Sequence, residues 1–337
     1  MVDVAALQQG LDSLAPRLRP GASGVSSLQR LSGGASQETW SFVVQAPTQA
    51  DLPMVLRRAP EGAAERAAGN VSLQTEAQII EQAARFGVPV PAVPLVLQPA
   101  MGLGAGYVMQ YVAGETLGRR IVDEARLAGA RAQLARQCGQ ALARIHAIDG
   151  AQLPALRRSS AAGELAYYEA KHRDHGRAKP VFELALQWLK LHPAPQRAQL
   201  SLVHGDFRNG NLVVGEDGLR AVLDWELAHL GDPMEDLGWL CVNSWRYGRH
   251  ELPVGGFGTR EQLFAGYVEA GGTLQADSVH YWEIFGTLKW GVICESMAMA
   301  YLRGAERNVE RATIGRRASE ADIDLLYLLA PRTQEPA

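Results

Sequence analysis

HGDFRNGNLVVGEDGLRAVLDWE, residues 204–226, sets acidic and amide side chains around a short predicted hairpin. Leu212-Val213-Val214 and the run from Leu219 to Leu223 flank Gly215-Glu216-Asp217-Gly218. Apolar runs on either side of a Gly/Asp turn predict a β-hairpin, which returns its far end to its near end. Asn211 and Asp224, thirteen positions apart, are thereby expected to face one ion. Both offer oxygen, the donor that a hard cation such as Mg²⁺ prefers. Taken singly, His204, Asp206 and Asn211 are ordinary polar turn residues. Their combination with a second Asp at the hairpin's return carries the reading.

That combination has a chemical logic. Phosphoryl transfer leaves little covalent work to the protein, which must hold Mg²⁺ on the phosphates, align the acceptor hydroxyl and take its proton. His-x-Asp-x-x-x-x-Asn with a later Asp is the kinase arrangement for this task. Asp206 is the candidate base, Asn211 and Asp224 the candidate metal ligands, and His204 a brace for the loop.

Working outward, Gly33, Gly34 and Ser36 in LSGGASQETW allow backbone N–H groups to approach an anion. No Lys precedes Lys171, so the cation on the phosphates must come from Arg57 or Arg58. Strand alternation sends these two to opposite faces, and Arg57 is the choice. Glu76, on the following helix, is expected to hold its guanidinium. Gln110, Tyr111 and Val112 lie in an extended segment between lobes and are expected to meet adenine by main chain, with Met109 behind them. In GDPMEDLGW, Asp232 reads as a helix N-cap with Glu235 as its reciprocal partner. Asp236 reads as an acceptor for the catalytic loop's backbone.

The 337 residues suffice for two lobes. Short strands at Trp40–Val44, Met54–Arg58, Leu95–Leu97 and Gly106–Val112 surround a helix at Ser72–Phe86. Ala/Leu/Arg-rich helices follow, notably Arg126–Ala147 and Val181–Leu191. The expected class is α+β, a small β-rich lobe (residues 1–112) and a larger helical lobe (residues 113–337). A composition of 47% hydrophobic and 20% charged residues, with a formal charge of −3, gives no reason to expect nucleic acid. Three scattered cysteines suit a reduced, cytoplasmic setting. The N-terminus lacks a signal-peptide pattern, and Glu283, Lys289 and Glu295 interrupt the apolar run Tyr281–Leu302, so no membrane span is expected.

The motifs LSGGASQETW, VLRRAP, YVMQYVAGE, LARIHAID, LVHGDFRNGNLVV, VLDWE and GDPMEDLGW resemble those of the aminoglycoside phosphotransferase and choline kinase-like superfamily. More closely, they resemble phosphotransferase-like proteins related to the kinase domains fused to acyl-CoA dehydrogenases. The resemblance implies a protein-kinase-like bilobal fold, ATP with Mg²⁺, and transfer of the γ-phosphate to a hydroxyl of a small molecule, with the roles given above. Arg57 stands where Lys is usual, and Gln37 where Asn is common. Two stretches, Lys171–Lys179 and Arg303–Arg317, are rich in basic residues. If either faces the cleft, an anionic acceptor such as a hydroxyacyl thioester of coenzyme A is favoured over a polycationic aminoglycoside. Trp239, Trp245, Trp282 and Trp290 are candidates for an apolar wall. The alternatives are an aminoglycoside-modifying resistance kinase and a regulatory module that holds nucleotide without turnover.

Overall fold

The structure, a computed structural model, describes residues 3–31, 37–59, 69–196, 199–305 and 308–330. It opens with helix α1 (Val4–Leu18), capped by the Asp3 carboxylate on the Ala6 N–H. An antiparallel five-stranded sheet follows, built from β1 (Gly24–Arg30), β2 (Glu38–Ala46), β3 (Gln49–Arg58), β4 (Leu95–Val96) and β5 (Gly106–Gln110) in the order β1-β2-β3-β5-β4. Helix α2 (Leu73–Arg85), capped by Ser72, lies between β3 and β4. The expected strands and helix are present; α1 and β1 are additions.

The sheet's two faces have different jobs. Leu7, Leu11, Leu14 and Ala15 of α1 pack on Phe42, Val44, Met54, Leu56 and Val108, forming a small core of their own. Burying a Leu side chain of this kind contributes about 1.5–3 kcal/mol, so α1 is a fixed part of the sheet. On the other face Tyr107 joins Ala77, Ile79, Ile80 and Ala83 of α2, and these belong to the larger core that runs through the helical region. Period-two alternation along β3 therefore separates Arg58, paired with Glu38 on the α1 side, from Arg57 on the α2 side.

The helical region comprises α3 (Gly118–Asp123), α4 (Ala128–His146), α5 (Ala161–His175), α6 (Pro180–Leu191), α7 (Met234–Cys241), α8 (Arg260–Glu269), α9 (Ala276–Leu302), α10 (Val309–Gly315) and α11 (Ala318–Leu329). Between α6 and α7 come β6 (Ser201–Val203) paired with β9 (His229–Gly231), and β7 (Leu212–Gly215) paired with β8 (Gly218–Val222). Helices α4 and α8 cross at two glycines. A Cβ on Gly139 would sit 2.1 Å from the Leu263 carbonyl oxygen, and one on Gly266 would sit 2.0 Å from that of Arg136.

The charges that interrupt the apolar run are all buried on α9 and all partnered. Glu283 meets Arg246 and Arg260, Lys289 meets Glu235, and Glu295 meets His172 and His175. Among the described residues no helix is long and apolar enough to cross a membrane.

Candidate active site

Strand β6 delivers the chain to His204, and the loop from His204 to Asn211 then feeds β7. Its backbone is fixed from below by Asp236, fully buried on α7, whose carboxylate accepts the N–H groups of His204 (2.8 Å) and Gly205 (2.9 Å). His146 Nε2 lies 3.1 Å from the same carboxylate, and its Nδ1 lies 2.9 Å from the Tyr267 hydroxyl. Burial opposes ionisation of Asp236, but the His146 bond and the loop N–H groups outweigh it and hold its pKa below the usual carboxylate range. His204 stitches the loop to the returning strand: its Nε2 donates to the Leu223 carbonyl (3.1 Å), while its Nδ1 accepts the Asp206 N–H (3.2 Å). Gly205 has φ +82°, and a Cβ there would lie 2.6 Å from the Leu227 carbonyl oxygen, so only glycine fits.

Asp206 is held at both oxygens. Oδ1 accepts from Trp239 Nε1 (2.8 Å) and Arg208 Nε (2.9 Å), and Oδ2 accepts from Asn211 Nδ2 (2.7 Å). Asn211 also donates to the Asp206 carbonyl and takes the Leu223 N–H on its own carbonyl, so it sits where the hairpin closes. The β7–β8 pairing, Leu212 with Val222 through Gly215 with Gly218, is the anticipated hairpin. Two residues after it, Asp224 takes φ +65°, a left-handed conformation that Asp tolerates better than most residues.

The sheet reaches the same place through Arg57. Its guanidinium lies 3.3 Å from Glu76 Oε1, 2.5 Å from Asp224 Oδ1 and 3.7 Å from Glu226 Oε2. Glu76 is fully buried and also accepts from the Tyr107 hydroxyl at 3.1 Å. Burial opposes the guanidinium's charge, but Glu76 and Asp224 outweigh it and push its pKa above the ordinary value.

Asp206 and Asn211 thus form one set of contacts and Asp224, Arg57 and Glu76 another, and the two meet at the hairpin's return, where the Leu223 N–H donates to the Asn211 carbonyl, with His204 and Asp236 holding the loop. Gly33, Gly34 and Ser36 lie outside the described residues. Gln110 ends β5 and its N–H donates to Ala92 O, while the Tyr111 N–H donates to Pro53 O. Those two amides are committed within the fold, and of this segment's three N–H groups only that of Val112 has no backbone partner among the described residues. In GDPMEDLGW, Asp232 accepts the Met234 N–H as a cap should. Glu235 closes no capping box, because its carboxylate is drawn to His229 (3.2 Å) and Lys289 (3.5 Å).

Three contributors escaped the motif reading. Arg208 binds Asp206 and lies over the Trp245 ring at 4.7 Å. Asn209, fully buried, ties the loop to the carbonyls of Trp245 and Gly255. Glu226 adds a third acid around Arg57. Of the four tryptophans, Trp239, Trp245 and Trp290 pack edge to face in a row, whereas Trp282 is core and donates to Asp232. A cation lies over each member of the row: Lys289 over Trp239 (4.8 Å), Arg208 over Trp245 and Arg317 over Trp290 (5.6 Å). In the Lys171–Lys179 stretch four of the six basic residues are internally paired or buried: Arg173 with Glu169 and Glu183, Lys179 with Asp322, and His172 and His175 inside the helical core.

Comparison with known proteins bears on the fold and the family. Over 209 residues the chain is 32% identical to acyl-CoA dehydrogenase family member 10 of Mus musculus, covering 57% of this chain and 18% of that protein. It spans between 18% and 33% of the length of the curated relatives it matches. A candidate aminoglycoside phosphotransferase from Ralstonia eutropha JMP134 superposes with a TM-score of 0.73 at 20% identity, covering 97% of this chain and 98% of that one. The APH(4)-Ia structure, a ternary complex with AMP-PNP and hygromycin B, gives 0.60 at 17% identity over 96% and 99%. These likenesses show the protein-kinase-like fold, a small antiparallel sheet region followed by a helical one. The model of the phosphotransferase enzyme family matches residues 27–272, and the chain belongs to that family.

Proposed function

We propose that the protein transfers the γ-phosphate of ATP to a hydroxyl group of a small molecule, with Asp206 as the base. The observation that carries the reading is the clamping of the Asp206 carboxylate by Trp239, Arg208 and Asn211 at the point where Arg57 brings the sheet onto Asp224. Nucleotide lies between residues 1–112 and residues 113–337. Val112 meets adenine beside Gln110 and Tyr111, and Gly33, Gly34, Ser36 and Arg57 meet the phosphates. The nucleotides in the similar structures, AMP-PNP in the APH(4)-Ia complex and GDP in two aminoglycoside phosphotransferase complexes, support a nucleotide donor.

The donor set fits Mg²⁺. Asn211 and Asp224 offer an amide and a carboxylate oxygen, both hard ligands, and Mg²⁺ takes only one or two such groups from protein beside phosphate and water. Bound there, Mg²⁺ would neutralise the charge on the β- and γ-phosphates. The remaining work belongs to the chain. Oδ1 of Asp206 already takes two donors and Oδ2 one, so Oδ2 accepts the hydroxyl proton as the acceptor oxygen bonds to phosphorus and the β–γ bridging bond breaks. Glu76 fixes Arg57, and His204 and Asp236 fix the loop.

For the acceptor we favour an anionic molecule with an apolar part, such as a hydroxyacyl thioester of coenzyme A, over a polycation; the tryptophan row offers the apolar wall, while the cations on it are already paired, Lys289 with Glu235, Arg208 with Asp206 and Arg317 with Glu320. The likeness to acyl-CoA dehydrogenase family members supports the same choice. Purified protein with Mg²⁺-ATP and a panel of hydroxylated acceptors is expected to release ADP, and Asp206→Ala to abolish it. Undiminished turnover in that variant would remove Asp206 from the base role.

A further inference from the structure

A second polar cluster lies in the helical region and takes no part in the site above. His172 and His175 stand at i and i+3 on α5, so their side chains share one face. Glu295 projects from α9, and all three residues are buried, at 3%, 7% and 2% exposure. Nδ1 of His172 lies 3.3 Å from Glu295 Oε2, and Nδ1 of His175 lies 3.4 Å from the same oxygen.

The outer nitrogens have partners of their own. His172 Nε2 is 3.3 Å from Glu183 Oε1, a carboxylate that can only accept. His175 Nε2 is 3.1 Å from Ser296 Oγ, which donates its own hydrogen to the Val292 carbonyl (2.9 Å) and keeps a lone pair for the ring. With both ring hydrogens on Nε2, each imidazole turns an Nδ1 lone pair toward Glu295 Oε2, and the three atoms are arranged to share one cation.

We propose that His172, His175 and Glu295 bind a divalent transition-metal ion, with Zn²⁺ the best match, and that this ion ties α5 to α9. Two imidazoles and a carboxylate are a zinc donor set, and nitrogen ligands disfavour Mg²⁺ and Ca²⁺. Zn–N and Zn–O bonds of about 2.0–2.1 Å at tetrahedral angles separate neighbouring ligand atoms by about 3.4 Å. The two Nδ1 to Oε2 distances meet that spacing, and the three ligand atoms lie within 4.8 Å of one another. Glu183 and Ser296 take the Nε2 hydrogens, the outer support that orients ligating histidines. Glu295 also lines a cavity of about 500 Å³ with Arg177, Lys179 and Tyr301, which gives an ion its entry and leaves room for water as fourth ligand.

The test uses the full chain, stripped with chelator and titrated first with Co²⁺ and then with Zn²⁺. One equivalent of Co²⁺ is expected to raise the intense visible absorption of a tetrahedral site, and Zn²⁺ to abolish it by displacement. Glu183→Gln, at a half-exposed position, is expected to weaken Zn²⁺ about 10–100-fold, and Glu295→Gln to remove the absorption. Asp206→Ala leaves it intact, which separates this ion from the nucleotide's. Absence of the band in the unmodified chain would overturn the proposal, as would a band that survives Glu295→Gln. If Glu295→Gln does not fold, unchanged Zn²⁺ affinity in Glu183→Gln overturns it instead.

Discussion

Replacing Asp236 with Asn tests how the loop from His204 to Asn211 is held, because the change keeps shape and removes one acceptor. The carboxylate takes two backbone N–H groups, from His204 and Gly205, in a fully buried position. An amide presents one oxygen and one NH₂, so one of the two N–H groups will face a donor. A hydrogen bond to a charged group is worth about 1.5–3 kcal/mol, and leaving its buried partner unsatisfied costs a similar amount. Since only one of the two bonds is lost, we expect destabilisation of about 1.5–3 kcal/mol by urea unfolding. If the loss is local, the same energy corresponds to about 10- to 150-fold faster opening of the loop, read as amide hydrogen exchange at His204 and Gly205. The His146 contact offers a control: His146→Gln leaves both loop N–H groups paired and is expected to cost less. Unchanged exchange at the two amides together with unaltered urea stability would refute the reasoning, since Asp236 would then not be holding the loop.

Two further outcomes follow from packing and charge. Gly139→Ala drives a Cβ to 2.1 Å from a backbone oxygen of α8, and the forced separation of α4 and α8 is expected to cost about 1–3 kcal/mol, measured by thermal unfolding. The buried pair of His229 and Glu235 gives a pH window. Burial opposes the charge on both, but Glu235 raises the His229 pKa above 6.5 and His229 lowers that of Glu235 below 4.5. A raised histidine contributes fully below 6.5 and loses its contribution as pH climbs through its folded value. A depressed carboxylate contributes fully above 4.5 and loses it as pH falls. The pair's contribution is therefore complete from about pH 4.5 to 6.5, and His229→Gln is expected to flatten the decline above that window in urea titrations at stepped pH.

The parts of the fold that announce themselves are those with local rules. The β7–β8 hairpin follows from apolar runs around a Gly-Glu-Asp-Gly turn, and α2 from Ala77, Ile80, Ala83 and Ala84 at helical spacing behind Ser72. Alternation along β3 separates Arg57 from Arg58, which the salt bridges to Glu76 and Glu38 bear out as geometry. Helix α1 carries its own signature, Leu7, Leu11 and Leu14 behind the Asp3 cap, yet on its sequence Met1–Leu14 read only as not a signal peptide. Contacts between distant segments are less legible. Glu235 has the spacing of a capping box, but His229 and Lys289 compete for its carboxylate, and nothing local reveals a Lys 54 positions downstream. His172 and His175 read as part of a basic stretch because their partner, Glu295, lies more than a hundred residues away.

The passage from sheet to helices has a mechanical consequence. Glu115 exchanges both of its backbone hydrogen bonds with Val214 of β7, and a Cβ on Gly114 would strike Val213 at 2.6 Å. Upstream, the Tyr111 amide is fastened to Pro53. Only about three residues, 112 to 114, join the two anchorages, a tether whose full reach is about 10 Å. Any movement of the sheet region against the helical region must therefore swing about this short strap, with little freedom to slide.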